Sequence, residues 1–213
     1  MPEPNSTRKS GKRPNHIIKD MYLEINNIAQ GINIGIFVLV LASPSFYDFK
    51  SQFFSTPIFA IASLLISVIF WTRYYFDTEI LDRSYTVLSA VWFFCYLISQ
   101  GVSISLVTQP ADWFLSTGVF LFFGAGFYAL NMNEIRRKQR KNAISLPKKF
   151  VTWQWQRLIE LLILSALSIA GKFIILTQPA NALPAAIFAL VIAVWQLIKT
   201  HDYRKYQFIE TGI

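Results

Sequence analysis

The feature that most constrains this chain is a series of apolar blocks, each close to twenty residues long and separated by short polar stretches. A hydrocarbon layer about 30 Å thick needs roughly 20 helical residues at 1.5 Å rise each, so every block is long enough to cross one. A soluble core would show periodic alternation instead, because one face of each element must meet water. Lipid offers the backbone no hydrogen-bond partner, so spans must pair internally as helices or as a closed barrel. Barrel strands are segments of about ten alternating residues, and these blocks do not alternate. The expected fold class is therefore all-α, a polytopic membrane helix bundle. Its spans are expected at 31–49, 53–74, 85–107, 111–130, 158–176 and 180–198. Composition agrees: charged residues are 15% of the chain, against about 25% in soluble domains.

The connections suggest how the spans pair. Thr56-Pro57 opens the second, Thr108-Gln109-Pro110-Ala111 joins the third to the fourth, and Thr177-Gln178-Pro179-Ala180 joins the fifth to the sixth. Proline suits the first helical turn, where its missing N–H is not needed, and a preceding Thr can cap. The chain thus reads as three helical hairpins turning on one side of the membrane.

Orientation follows from charge, since cytoplasmic loops collect Lys and Arg. With the N-terminus inside, all but Lys50 and Lys172 of the 20 Lys and Arg residues fall on the cytoplasmic side. The first span is the weakest, broken by Asn33 and by Ser43-Pro44-Ser45. Dropping it would put the basic N-terminus opposite the basic 134–149 loop, so it is retained. The expected location is the plasma membrane, the inner membrane if the source is bacterial, with both termini cytoplasmic. Residues 1–20, rich in Pro, Ser and basic side chains, read as a disordered tail. Residues 21–213 form a single transmembrane domain. No signal peptide is evident in the first 30 residues.

Catalytic patterns are absent. There is no Gly-rich phosphate loop, no HExxH and no CxxC pair. The single cysteine, Cys95, lies in an apolar block and excludes an internal disulfide or a cysteine zinc cluster. His16 and His201 are far apart in polar segments. No catalytic residue, metal site or cofactor is expected, and the chain is not read as an enzyme.

Two groups of residues stand out. Lys172 lies inside the fifth span, where a charge is costly. It can snorkel to the outer interface, or face the bundle with Ser165 and Ser168, which share its helical stripe. Gln100 and Ser103 belong to a second polar stripe on the third span, and Asp112 is placed to pair with Lys172. These six residues are the candidate lining of a polar cavity. Interhelical hydrogen bonds would account for the same stripes. The second group is cytoplasmic. Arg73 and Asp77, and Glu79 and Arg83, are spaced for ion pairs along one helix. With Asp82 they form a candidate docking surface, together with Arg136, Arg137, Lys138, Arg140 and Lys141 of the basic loop. That loop suits anionic lipid head groups or an acidic cytoplasmic protein, and nucleic acid is the weaker reading. Gly118, Gly124, Ala125 and Gly126 offer a small-residue face for a homo-oligomer.

Two functions follow as expectations. One is an oligomeric transporter or channel for a small solute or ion. The other is a non-transporting sensor, an immunity or defence component, or an anchor that docks a cytoplasmic partner.

Overall fold

The computed structural model describes residues 14–47, 55–81, 86–140 and 148–211, and every main element within them is a helix. In chain order these are α1 (Pro14–Ala42), α2 (Ser55–Leu81), α3 (Val87–Ser105), α4 (Pro110–Arg140), α5 (Lys148–Thr177) and α6 (Ala182–Thr211). Short 3₁₀ turns, Pro44–Tyr47 and Pro179–Asn181, follow α1 and α5. All six helices contain a stretch long and apolar enough to cross a membrane.

The helix ends follow local chemistry. Thr86 and Ser89 form a capping box at the start of α3: Thr86 Oγ1 accepts from the Ser89 N–H at 3.2 Å, and Ser89 Oγ accepts from the Thr86 N–H at 2.8 Å. This satisfies two amide groups that the helix leaves open. The α3–α4 turn closes through Gln109 N–H to Leu106 O at 2.8 Å. Pro110 then opens α4, where it gives up no hydrogen bond.

The first span differs from its expected 31–49 limits: its apolar stretch runs Lys19–Ala42, and the helix stops before Ser43-Pro44. Asn33 counted as a break in the span, and Asn26 and Gln30 are further amide side chains in this stretch. Asn26, Gln30 and Asn33 form one inward face, at 1%, 5% and 5% exposure, so the helix crosses with these amides against the bundle. The expected disordered tail 1–20 is shortened at its end, because residues 14–20 belong to α1, and residues 1–13 lie outside the described residues.

The C-terminal ends of α1, α3 and α5 and the N-terminal ends of α2, α4 and α6 lie at one end of the bundle, here the turn face. The opposite helix ends lie at the other, here the basic face. Of the hairpin pairs, α3 and α4 pack closely along each other, while α5 also lies along α4, α6 along α2, and α1 more along α3 than along α2. The α4–α5 pairing is antiparallel and close. Ser165 Oγ donates to Gly118 O and Ser168 Oγ to Phe114 O, both at 2.7 Å. A Cβ at Gly118 would meet Ile169 Cγ1 at 2.7 Å and the Ser165 carbonyl at 3.1 Å, so only glycine permits this approach. An aromatic layer crosses the middle of the bundle, with Phe70 against Phe120 and Tyr96 at ring separations of 4.8 and 5.8 Å. Nearer the turn face, Phe59, Trp113 and Phe114 form a second core, where Trp113 Nε1 donates to Ser63 Oγ at 2.7 Å.

Although a tight turn joins them, the α5 and α6 backbones stand apart along their lengths, and their side chains meet again at the basic face. The reason is visible in α6. Ala182, Ala186 and Ala193 are buried, and Ala186 joins the core around Phe59 of α2. The adjoining stripe, Ala185, Ala189 and Ala193, carries only methyl side chains and lines the space between α6 and α5.

Candidate functional site

Two features meet near the basic face: a buried polar network and an apolar cleft. The network joins four helices. Arg73 of α2 lies about 8 Å inside the end of its apolar stretch at Thr78, taking 1.5 Å per residue, and is only 3% exposed. Its Nε donates to Thr200 Oγ1 at 2.8 Å, and its Nη2 to the backbone O and side-chain Oε1 of Gln196 at 3.0 and 2.9 Å. Arg157 of α5 donates from Nη1 to Glu160 Oε2 at 2.7 Å and also to Gln196 Oε1. Its guanidinium lies 4.0 Å over the Trp153 ring. Lys199 of α6 completes the group, donating to Glu160 Oε1 at 2.6 Å and lying over Trp195.

Asp77, one turn beyond Arg73, faces α4 and α5. Gln154 Nε2 donates to its Oδ1 at 2.9 Å, and Asn131 Nδ2 reaches Gln154 Oε1 at 3.2 Å and Asp77 Oδ2 at 3.5 Å. Three cations (Arg73, Arg157, Lys199) thus share a small volume with two carboxylates (Asp77, Glu160). Glu160 serves both Arg157 and Lys199. Arg73 makes no ion pair among the described residues, and the oxygens it meets on α6 are neutral.

The cleft opens from this network toward the turn face. It has a volume of about 270 Å³, with α2 and α4 as its floor and α5 and α6 as its walls. Ile69, Phe114, Leu164, Ile175, Phe188 and Ile192 line it, and Arg73 and Gln196 stand at its basic-face end. Leu167, Ile174 and Phe188 belong to both the lining and the outer surface, at 52%, 53% and 58% exposure. The cleft therefore opens sideways, where a helix bundle of this length meets acyl chains.

The residues expected to line one polar cavity lie in separate contacts. Lys172 Nζ meets Asp112 Oδ1 at 3.3 Å near the turn face, with side chains 23% and 49% exposed. Ser165 and Ser168 are held by α4 carbonyls. Gln100 exchanges amide hydrogen bonds with Gln30 of α1 at 3.1 Å in both directions. Ser103 accepts from Thr117 at 3.4 Å. No continuous polar path joins these groups among the described residues, and the aromatic layer lies between Gln100 and the basic-face network.

The expected docking surface also divides. Arg73 and Asp77 are buried, at 3% and 8% exposure, and do not form part of an outer surface. Their four-residue spacing suggested a pair along one helix, but each turns to a different neighbour. The Glu79 side chain, Asp82, Arg83 and Lys141 lie outside the described residues. On α4, Lys138 donates to Leu81 O at 2.6 Å and Arg137 pairs with Glu134 at 3.3 Å. Arg136 lies 5.2 Å from the Trp155 ring, and Arg140 is exposed. The small residues proposed for an oligomer face are used within the chain: Gly118 against α5, Gly124 against Phe70 and Gly126 against Trp92. Ala125 is buried in the aromatic core.

Asn131, Gln154, Gln196 and Thr200 were not singled out in the sequence. Gln196 is an isolated polar residue in an apolar helix, a signal that marks function or interhelical bonding in a membrane protein, whereas Asn131, Gln154 and Thr200 lie in polar helix ends where no local pattern separates them from surface residues. Among the described residues no group of three His, Cys, Asp or Glu is arranged to hold a metal ion.

Six membrane-length apolar helices with polar side chains turned inward define an integral, multi-pass membrane protein. Comparison with known protein families, with curated proteins and with solved structures gave no match.

Proposed function

We propose that this protein is a non-transporting membrane receptor that takes an apolar guest sideways from the bilayer into the α5–α6 cleft. The observation that carries this reading is that Arg73 and Gln196 belong both to the cleft and to the network joining α2, α5 and α6. A guest would press on the same side chains that fix the basic-face ends of three helices. Occupancy would then bias their arrangement, which is what a sensor requires. The basic face is read as cytoplasmic. There Arg140, Lys148 and Lys149 are exposed to anionic head groups or a cytoplasmic protein.

Conduction draws less support, because the polar side chains expected to line a pore are bonded between helices. The test uses an alkyl diazirine, photolysed with the protein in nanodiscs. Labelling is expected on the cleft walls of α5 and α6, and Ala189→Trp, which fills the cleft, should remove it while the protein stays monodisperse. Equal labelling of the variant would overturn the reading. Ion flux above the protein-free background in proteoliposomes would favour a channel.

A further inference from the structure

Resting on that reading of the cleft, we propose that its guest is a fatty acid whose carboxylate is received between Arg73 and Arg157. Three observations point to an anion. Arg73 lies at the end of an apolar cavity, is 3% exposed and has no ion pair among the described residues. A buried cation is costly unless a countercharge offsets its lost hydration. Second, Gln196 Oε1 accepts from both Arg73 Nη2 and Arg157 Nη1. A neutral amide oxygen thus occupies the place between two guanidiniums where a carboxylate would be held more strongly. Third, Gln196 itself lines the cleft, so its side chain can yield that place to a ligand oxygen arriving along the cavity.

The shape selects a single chain with a small head. From Gln196 to Ala185 along α6 the cleft extends roughly 16 Å at 1.5 Å per residue, the reach of a medium-length alkyl chain. Arg73 and Gln196 are 3% and 6% exposed, so the head group would be enclosed, which favours a small carboxylate over a glycerophosphate. The depth fits as well. A head near Arg73 sits just below the basic interface, and the tail runs toward the bilayer centre between Leu164 and Ile192. Laurate has the required chemistry: on binding it breaks the Gln196 amide contacts and forms charge-assisted bonds to the two guanidiniums, with no covalent change.

The experiment measures displacement of the alkyl diazirine from the full chain in nanodiscs by laurate, dodecanol, dodecylamine and lysophosphatidylglycerol. Laurate is expected to compete at least about ten-fold better than dodecanol, the worth of one good charged hydrogen bond. Arg73→Gln should bring the two near parity. Gln196→Glu supplies a built-in carboxylate between the guanidiniums, at the loss of the 3.4 Å bond from Gln196 Nε2 to Glu160 Oε2, and should remove the laurate preference, which keeps the test available if Arg73→Gln fails to fold. Dodecanol competing as well as laurate against wild type would overturn the head-group assignment while leaving the cleft reading intact. Stronger competition by lysophosphatidylglycerol would overturn the fatty acid in favour of a phospholipid. Failure of all four to displace the probe, with Ala189→Trp labelled as wild type, would overturn the cleft reading itself.

Discussion

Glu160→Gln should destabilise the protein far more than Lys172→Met, although each removes one member of an intramembrane ion pair. Glu160 accepts from Arg157 at 2.7 Å and from Lys199 at 2.6 Å, and the Arg157 side chain is only 2% exposed. Glutamine keeps the shape but leaves both cations without this carboxylate. Removing one partner of a fully buried pair costs about 3–5 kcal/mol. Glu160 and Lys199 are 23% and 35% exposed, so solvent screening reduces the expected loss to about 2–3 kcal/mol. Lys172 and Asp112 are 3.3 Å apart with side chains 23% and 49% exposed, and a pair this open contributes only about 0–1 kcal/mol. Thermal unfolding in mild detergent, followed by tryptophan fluorescence, separates the two. Glu160→Gln should lower the midpoint by roughly 5–10 °C, while Lys172→Met should leave it nearly unchanged. Equal losses would refute the argument that burial decides the worth of these pairs.

Two further outcomes follow from the packing and the charge distribution. Gly118→Ala drives a methyl group into Ile169 and the Ser165 carbonyl, so it should cost about 1–3 kcal/mol, whereas Gly35→Ala, with nothing within 4 Å of its Cβ, should be neutral or stabilising by the same unfolding assay. In a Cys95→Ala background, cysteines introduced at Ser6 and Asn142 should be protected from an impermeant thiol reagent in intact cells. Labelling of either would reverse the orientation read from the basic residues.

Much of the fold was legible because the bilayer imposes a length on each helix. The five later helices could be placed from apolar length, and the α3–α4 and α5–α6 turns from Pro110 and Pro179. The first was misplaced by a simple physical ambiguity: Asn26, Gln30 and Asn33 lower the local hydropathy whether they face water or the bundle. Their spacing of three to four residues was the available clue, since it puts them on one helical face. The site was less legible. Arg73 and Asp77 suggested an ion pair at four-residue spacing, yet their partners come from α4, α5 and α6, 54 to 127 residues away. Such partnerships are set by tertiary packing and leave no local pattern. The cleft left a faint one, because Ala185, Ala189 and Ala193 repeat every four residues along the last span. Lys172 drew attention as an isolated intramembrane charge, but in the fold it is half-open beside Asp112, and the enclosed cations are Arg73 and Arg157.

Gln100 provides the sharpest separation between a polar residue that lines a path and one that joins helices. It is 2% exposed and Gln30 is 5% exposed, and their amides exchange hydrogen bonds of 3.1 Å in both directions between α3 and α1. Replacing one partner by Leu leaves the other amide buried and unsatisfied, a penalty of about 1–3 kcal/mol. Replacing both removes the need for either bond, and two leucines of similar volume can pack in their place. The double variant Gln30→Leu/Gln100→Leu should therefore be more stable than the sum of the single losses implies, by at least about 1 kcal/mol. A hydrated path through Gln100 would behave otherwise, since water would satisfy the remaining amide in each single variant and the two losses would simply add. Additive unfolding energies would thus refute the joining role, and with it the reason for regarding the polar stripe of α3 as part of the bundle's internal bonding.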